Sequence, residues 1–197
     1  MTEMQSRDLR EACAEEALKL IGEVGVEGLS IREVARRLGV SHQAPYKHFA
    51  SSDHLLAEVV RRTYVQFSQY LEERMHRKTK HPEMRRLGEA YFTFAMEHPL
   101  HYRLMFGTAL PNPEKHPEMM QEARYAFAIL LESLGRARGG KDEKADQLDA
   151  LFIWSTLHGL SSIMQTTALD QLGLSKKLLA EALPNALGRI GNALLID

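Results

Sequence analysis

The chemistry of this chain concentrates in residues 30–49, SIREVARRLGVSHQAPYKHF. There His42, Gln43, Tyr46, Lys47 and His48 crowd hydrogen-bonding groups into a stretch with no acidic residue between Glu33 and Asp53. Such a set suits a nucleic-acid duplex: a glutamine amide can pair bidentately with adenine in the major groove, while lysine, tyrosine and histidine can hold phosphate oxygens or base edges. Arg32, Arg36 and Arg37 just upstream add positive charge. A second constellation, Glu97, His98 and His101 with His116 or His158, could in principle ligate a metal or serve a helical-bundle enzyme. Bundle sites use repeated Glu-x-x-His pairs, whereas His98-x-x-His101 straddles Pro99 and has no second pair. No metal, cofactor or catalytic residue is expected. Cys13 is the single cysteine, which excludes an internal disulfide and a multi-cysteine zinc site and fits a small buried residue in a reducing compartment.

The elements that must hold these groups read as helices. Ser30 followed three residues later by Glu33 has the form of a capping box, predicting a short helix with Ile31, Val34, Ala35 and Leu38 on its buried face. Gly39 ends it, since glycine accepts the positive φ of a tight turn. Ser41 then predicts a second helix through Phe49, crossing the first where the small Ala35 leaves room. Pro45 falls at its fourth position, where it removes a backbone bond and crowds the Ser41 carbonyl, so the winding is expected to be short or tight. A preceding helix is read from Ser6, as N-cap, to Val24, with Leu9, Cys13, Ala17, Leu20 and Val24 along one face. A following helix starts from a Ser51 or Ser52 cap and carries Leu56, Val60, Tyr64, Phe67, Leu71 and Met75 at steps of three or four.

Helical spacing continues to the end of the chain. It predicts a helix over 83–97 ending before Pro99, a short segment 100–106, a three-proline loop over 107–117, a helix over about 118–138, a connector at 139–144, and two long helices over about 145–169 and 175–195. Pro184 should kink the last of these. Strict apolar alternation is nowhere convincing, so the expected fold class is all-α. A charged stretch at 77–82 divides the chain by composition into 1–52, a connecting helix 53–80, and 81–197. With 25 Lys+Arg against 26 Asp+Glu among 197 residues, the whole chain is not a basic coat protein; only the placement of charge can favour DNA. No stretch approaches the ~20 apolar residues of a membrane span and the amino terminus is charged, so a cytoplasmic protein without membrane contact is expected.

Taken in order, the helix ending at Gly25 and Gly28, then S-I-R-E-V-A-R-R-L-G-V-S, A-P-Y-K-H-F and S-S-D-H-L-L, resemble the TetR family of transcriptional repressors over about residues 9–60. The resemblance implies an N-terminal three-helix DNA-binding domain joined by a long helix to a helical ligand-binding and dimerisation domain. It implies that Ser30 touches phosphate, that His42, Gln43 and Ala44 after the Ser41 cap face bases, and that Tyr46, Lys47 and His48 hold the DNA backbone. Pro45 stands where the family usually has an aliphatic residue, and Ser52 where many members have a phosphate-binding lysine, a contact that His54 could make instead. Trp154-Ser-Thr-Leu-His158-Gly159 and the segment His98–Phe106 resemble the Trp…His-Gly group of regulatory domains. The partners this implies are a palindromic duplex operator, a second copy of the chain paired through the last two long helices, and a small apolar or amphipathic effector. Phe94, Met105, Phe106, Phe127, Trp154 and His158 are its candidate pocket wall. An architectural DNA-binding protein without a ligand is the remaining alternative.

Overall fold

Each apolar stripe of the sequence becomes a helix with one buried face. The structure, a computed structural model, describes residues 3–107, 110–139 and 142–194. Helix α1 covers Glu3–Val24, α2 Ile31–Arg37, α3 Ser52–Met75, α4 Glu83–Glu97, α5 Pro99–Phe106, α6 Pro117–Arg138, α7 Glu143–Met164, α8 Ala168–Gln171 and α9 Lys176–Leu194, and no strand occurs among the described residues. The all-α expectation holds. The chain packs into two compact units, one of Met1–Val65 with Arg103–Ala123 and one of Gln66–Tyr102 with Arg124–Asp197. Packing thus divides the chain at other places than composition does.

In the first unit, α1 lies against α2 and the turn that follows it. Cys13, Ala17 and Leu20 of α1 are buried with Ile31, Val34 and Ala35 of α2 and with Phe49, Leu56 and Val60. Burial also raises the Cys13 thiol pKa, which suits a packing residue. Two helix-end expectations need correction. Helix α1 starts at Glu3, so Ser6 lies inside it, and Val24 at its other end is exposed because the helix stops there at Gly25. Ser30 does occupy the N-cap position of α2 but makes no side-chain cap bond; Glu33 is drawn instead to Arg36 and Arg37. Ser51 caps α3, its Oγ accepting from the His54 backbone N–H at 3.3 Å. Within α3 the buried Glu58 accepts from Arg10, Arg61 and Arg62 at 3.2, 2.9 and 2.8 Å. The end of α5 is tied to α3 by the Tyr64 hydroxyl, which donates to the Met105 carbonyl at 2.8 Å.

In the second unit, α4 packs on α7 and α9, and α7 on α9. Leu187 of α9 fills the space that a Cβ on Gly88 of α4 would take, so any larger residue there would displace the Leu187 side chain. The long helix expected to reach Leu169 stops at Met164. There the Thr166 hydroxyl donates to the Ile163 carbonyl at 2.8 Å and the Gln165 amide to the Ser161 carbonyl, satisfying helix-end acceptors that continued winding would have used. The cap of α7 is Asp142, whose carboxylate accepts from the Ala145 N–H at 3.0 Å. Pro184 lies inside α9. Gly140, Lys141 and Leu195, which enter the sequence expectations for this half, lie outside the described residues.

Burial pushes the Glu58 carboxyl up, but hydrogen bonds from Arg61 and Arg62 outweigh it and bring its pKa down to about 2. A carboxylate depressed on folding contributes stability that is complete above about pH 5 and is lost as pH falls toward about 2. Glu58→Gln is therefore expected to lower stability by about 2 kcal/mol at neutral pH and to flatten that part of the pH dependence, as read by urea unfolding across the acid range.

Candidate nucleic-acid interface

Pro45 decides the geometry of the segment expected to be a second helix. It has no N–H to return to Ser41, and the Ser41 carbonyl instead accepts from Ala44 at 2.9 Å, one residue earlier than in an α-helix. The Ser41 hydroxyl accepts from the Gln43 N–H at 3.3 Å and closes the turn. A single 3₁₀ turn, Pro45–Lys47, replaces the helix through Phe49. Its proline ring is fully buried, and the Pro45 carbonyl collects the His48 and Phe49 N–H groups, each at 2.9 Å. Gly39, at φ +66°, supplies the reversal between α2 and this turn.

The turn displays what the sequence placed on it, with changes at two kinds of residue. His42, Gln43, Tyr46 and Lys47 are exposed, and Arg32, His42, Gln43 and Tyr46 together line an open surface concavity of about 630 Å³. His48 is half-buried and its Nε2 is shielded, with no hydrogen-bond partner among the described residues. Positive charge is redistributed relative to the sequence reading. Arg36 forms a two-bond pair with Glu33, at 2.8 and 2.7 Å. Arg37 is held by Glu23 at 2.7 Å and by Glu33 at 2.9 Å. These hydrogen bonds pull the Glu33 carboxyl down to about pKa 2, so both arginines are matched by carboxylates. Arg32 and Lys47 make no ion pair among the described residues and are the cations beside the turn. The sequence ranked Arg32 with Arg36 and Arg37; Glu33 on the same helix takes Arg36, and the α1 partners that take Arg37 are distant in the chain.

At the start of α3, His54 is engaged by Ser51 Oγ at 2.9 Å and stands edge-on to His116, with ring centroids 5.0 Å apart. His116 Nε2 in turn lies 2.6 Å from Asp53. Glu97 accepts from the Tyr70 hydroxyl at 2.6 Å. Of the metal-ligand candidates, Glu97 and His116 thus have other partners, and no group of three or more His, Cys, Asp or Glu is placed to hold a metal ion among the described residues.

Of the candidate pocket-wall residues, Phe94, Phe127, Trp154 and His158 lie in the second unit and Met105 and Phe106 in the first. Phe127, Trp154 and His158 come together in the second unit, Trp154 lying 5.9 Å from Phe127 and 6.4 Å from His158 between centroids. Phe94 is fully buried in a ring cluster with Phe67, Tyr70 and His98. Met105 and Phe106 belong to the first unit, Met105 in its core and Phe106 edge-on to Tyr64. Sequence reasoning missed Tyr102, whose hydroxyl reaches His158 Nδ1 at 2.8 Å from 56 residues away.

An all-helical chain that holds such a turn against a short arginine-bearing helix is of the helix-turn-helix class. Residues 14–59 match the family model described as bacterial regulatory proteins, tetR family, and residues 84–187 match the tetracyclin repressor-like C-terminal domain. A 47-residue stretch is 49% identical to tetracycline repressor protein class C of Escherichia coli, covering 24% of this chain and only 22% of that relative. A protein of unknown function from Rhodococcus sp. RHA1 superposes with a TM-score of 0.79 at 25% identity over 94% of both chains. FadR of Bacillus subtilis, solved with stearoyl-CoA, shares the fold at a TM-score of 0.68 and 16% identity, over 91% of this chain and 96% of that one. The chain belongs to the TetR family of bacterial regulatory proteins.

The charge pairing has a direct consequence in a salt titration. Arg32→Ala or Lys47→Ala is expected to weaken binding to every duplex and to lower the slope of log affinity against log salt by about one. Arg36→Ala, which removes an already paired cation, should leave that slope unchanged in the same anisotropy measurement.

Proposed function

We propose that this TetR-family transcriptional regulator is a dimeric, sequence-specific repressor of its own or a neighbouring promoter, modulated by a small apolar or amphipathic effector. The observation that carries the DNA side is the acid-free turn at residues 41–48, exposed beside Arg32 inside the stretch that matches the family's N-terminal model. Gln43 and His42, with Ala44 between them and the proline, read base edges from the Ser41 turn. Tyr46 and Lys47 hold phosphate, as does Ser30, whose hydroxyl makes no cap bond to α2. His48 joins them by turning its ring outward. By role, the chain divides into a DNA-binding domain at 1–52, a connecting helix at 53–80, and a regulatory domain at 81–197 related to the Trp…His-Gly group. The reading places the protein in the cytoplasm and requires no catalysis; no described helix is long and apolar enough to cross a membrane.

The effector side draws on Phe127, Trp154 and His158, and the fold shared with a stearoyl-CoA-bound regulator supports an amphipathic ligand. Phe94, Met105 and Phe106 are the further candidates for its pocket wall. Dimerisation is read from α7, where Leu148, Leu151, Phe152 and Ile163 stand exposed although they are large and apolar. Two-fold pairing there gives two recognition turns for the two halves of a palindrome.

Anisotropy titration against DNA immediately upstream of the coding sequence, with a shuffled duplex as control, tests the DNA reading. A preference of about 10³-fold or more is expected at near-physiological salt. Gln43→Ala should relax discrimination at one base pair of each half-site by about 1–3 kcal/mol; an equal loss on all operator variants would remove its reading role.

The dimer is tested by Leu148→Glu with Phe152→Glu. Sedimentation should show the monomer mass, and operator affinity should fall with it; an unchanged dimer mass would refute α7 as the interface.

A further inference from the structure

Asp53 is the first acidic residue after the turn at 41–48, and two demands on it conflict. In the first turn of α3 a carboxylate favours the helix, because the N-terminal N–H groups carry partial positive charge. Beside a surface that meets DNA phosphates the same carboxylate is repulsive, and its side chain is 48% exposed. Its neighbours in the acidic series, Glu33 before the turn and Glu58 after it, are held by arginines. No lysine or arginine pairs with Asp53 among the described residues.

The partner of Asp53 comes from outside the residues 14–59 that match the family's N-terminal model. His116 Nε2 lies 2.6 Å from Asp53 Oδ2. An ionised carboxylate can only accept, so Nε2 carries a proton and donates it. His116 is itself anchored, being 8% exposed with Pro111 and Met119 buried on either side of it. Asn112 Oδ1 accepts from the Glu114 N–H at 2.9 Å and fixes the 3₁₀ turn Pro113–Lys115 that leads to it. The imidazole also stands edge-on to His54, whose Nδ1 is held by Ser51 Oγ at 2.9 Å. All these residues belong to the first unit, which includes Arg103–Ala123.

We propose that His116 is a positioning residue for DNA binding: it holds the Asp53 carboxylate so that this charge does not oppose the DNA backbone, and it extends the acid-free face of residues 34–52 across the first turn of α3. This rests on the DNA-binding reading and adds to it a residue that acts through another. If His116 only packed its segment against α3, the effect of losing it would not depend on the charge at position 53.

His116→Phe removes the donor and keeps a ring beside His54, and His116→Leu removes it in a smaller volume. Anisotropy titrations of the intact chain at low salt use the upstream duplex and its shuffled control. Either variant is expected to bind about threefold more weakly per half-site, and so about tenfold more weakly as a dimer on a complete duplex. The loss should be alike on both duplexes, since phosphate carries no sequence information, and should shrink as salt is raised. Asp53→Asn should restore affinity in either His116 background and change it by less than about twofold in the wild type. His116→Gln, which keeps an N–H donor, should bind as the wild type does. The proposal is overturned if the folded His116→Phe and His116→Leu variants bind like the wild type, or if the double variants stay as weak as the single ones. It is also overturned if Asp53→Asn alone tightens the wild type by about threefold or more per half-site, a result that needs no His116 variant to fold. Equal wild-type binding to the two duplexes refutes the operator reading alone, because the cycle is read on either; no binding to either overturns both.

Discussion

Pro45 has no backbone hydrogen to donate, and the presentation of residues 41–48 depends on that. With the i→i+4 bond to Ser41 impossible, the carbonyl turns to Ala44 and the segment winds into one 3₁₀ turn. Such turns are poor at sustaining themselves, so this one is held by burial: the proline ring and Phe49 are both in the core, and the Pro45 carbonyl binds the two N–H groups that follow. Of the side chains between these two anchors, Tyr46 and Lys47 face outward and His48 is half-buried. A backbone fixed in this way loses little further freedom on meeting a partner, which favours tight association for a short contact surface.

The helices themselves were legible because their signals are local. Proline at 82 and 99 and an uninterrupted apolar stripe place α4 at 83–97, as found, and the Leu56-to-Met75 stripe is buried along α3 apart from the half-buried Tyr64. Expectations failed where one side chain had several possible partners. Ser30 and Glu33 have capping-box spacing, but two guanidinium groups within a turn outbid a backbone N–H for the carboxylate. The end of α7 turned on Thr166 and Gln165 taking carbonyls, a choice that apolar periodicity does not encode.

The electrostatics of the candidate site were hidden for the same reason at longer range. Counting charges in residues 30–49 makes Arg32, Arg36 and Arg37 equivalent. Folding brings Glu16 and Glu23 of α1 to Arg37 and leaves Arg32 outside that network. A nearly neutral chain can in this way keep a locally positive face: the acidic residues are spent on particular arginines, and the remaining cations stand beside an acid-free turn.

In the second unit, sequence spacing showed that Trp154 and His158 share a face of α7 but not what that face meets. The decisive partner, Tyr102, lies on α5. The same helix ends where the Tyr64 hydroxyl holds the Met105 carbonyl. A ligand shifts a conformational equilibrium only by its differential affinity for the two forms. Tyr102 stands on an eight-residue helix rather than on a loop, so one placement of its phenol goes with one placement of α5. Apolar contacts, being non-directional, discriminate poorly between such placements. A directional polar contact therefore discriminates between placements of a helix better than a larger area of apolar burial does.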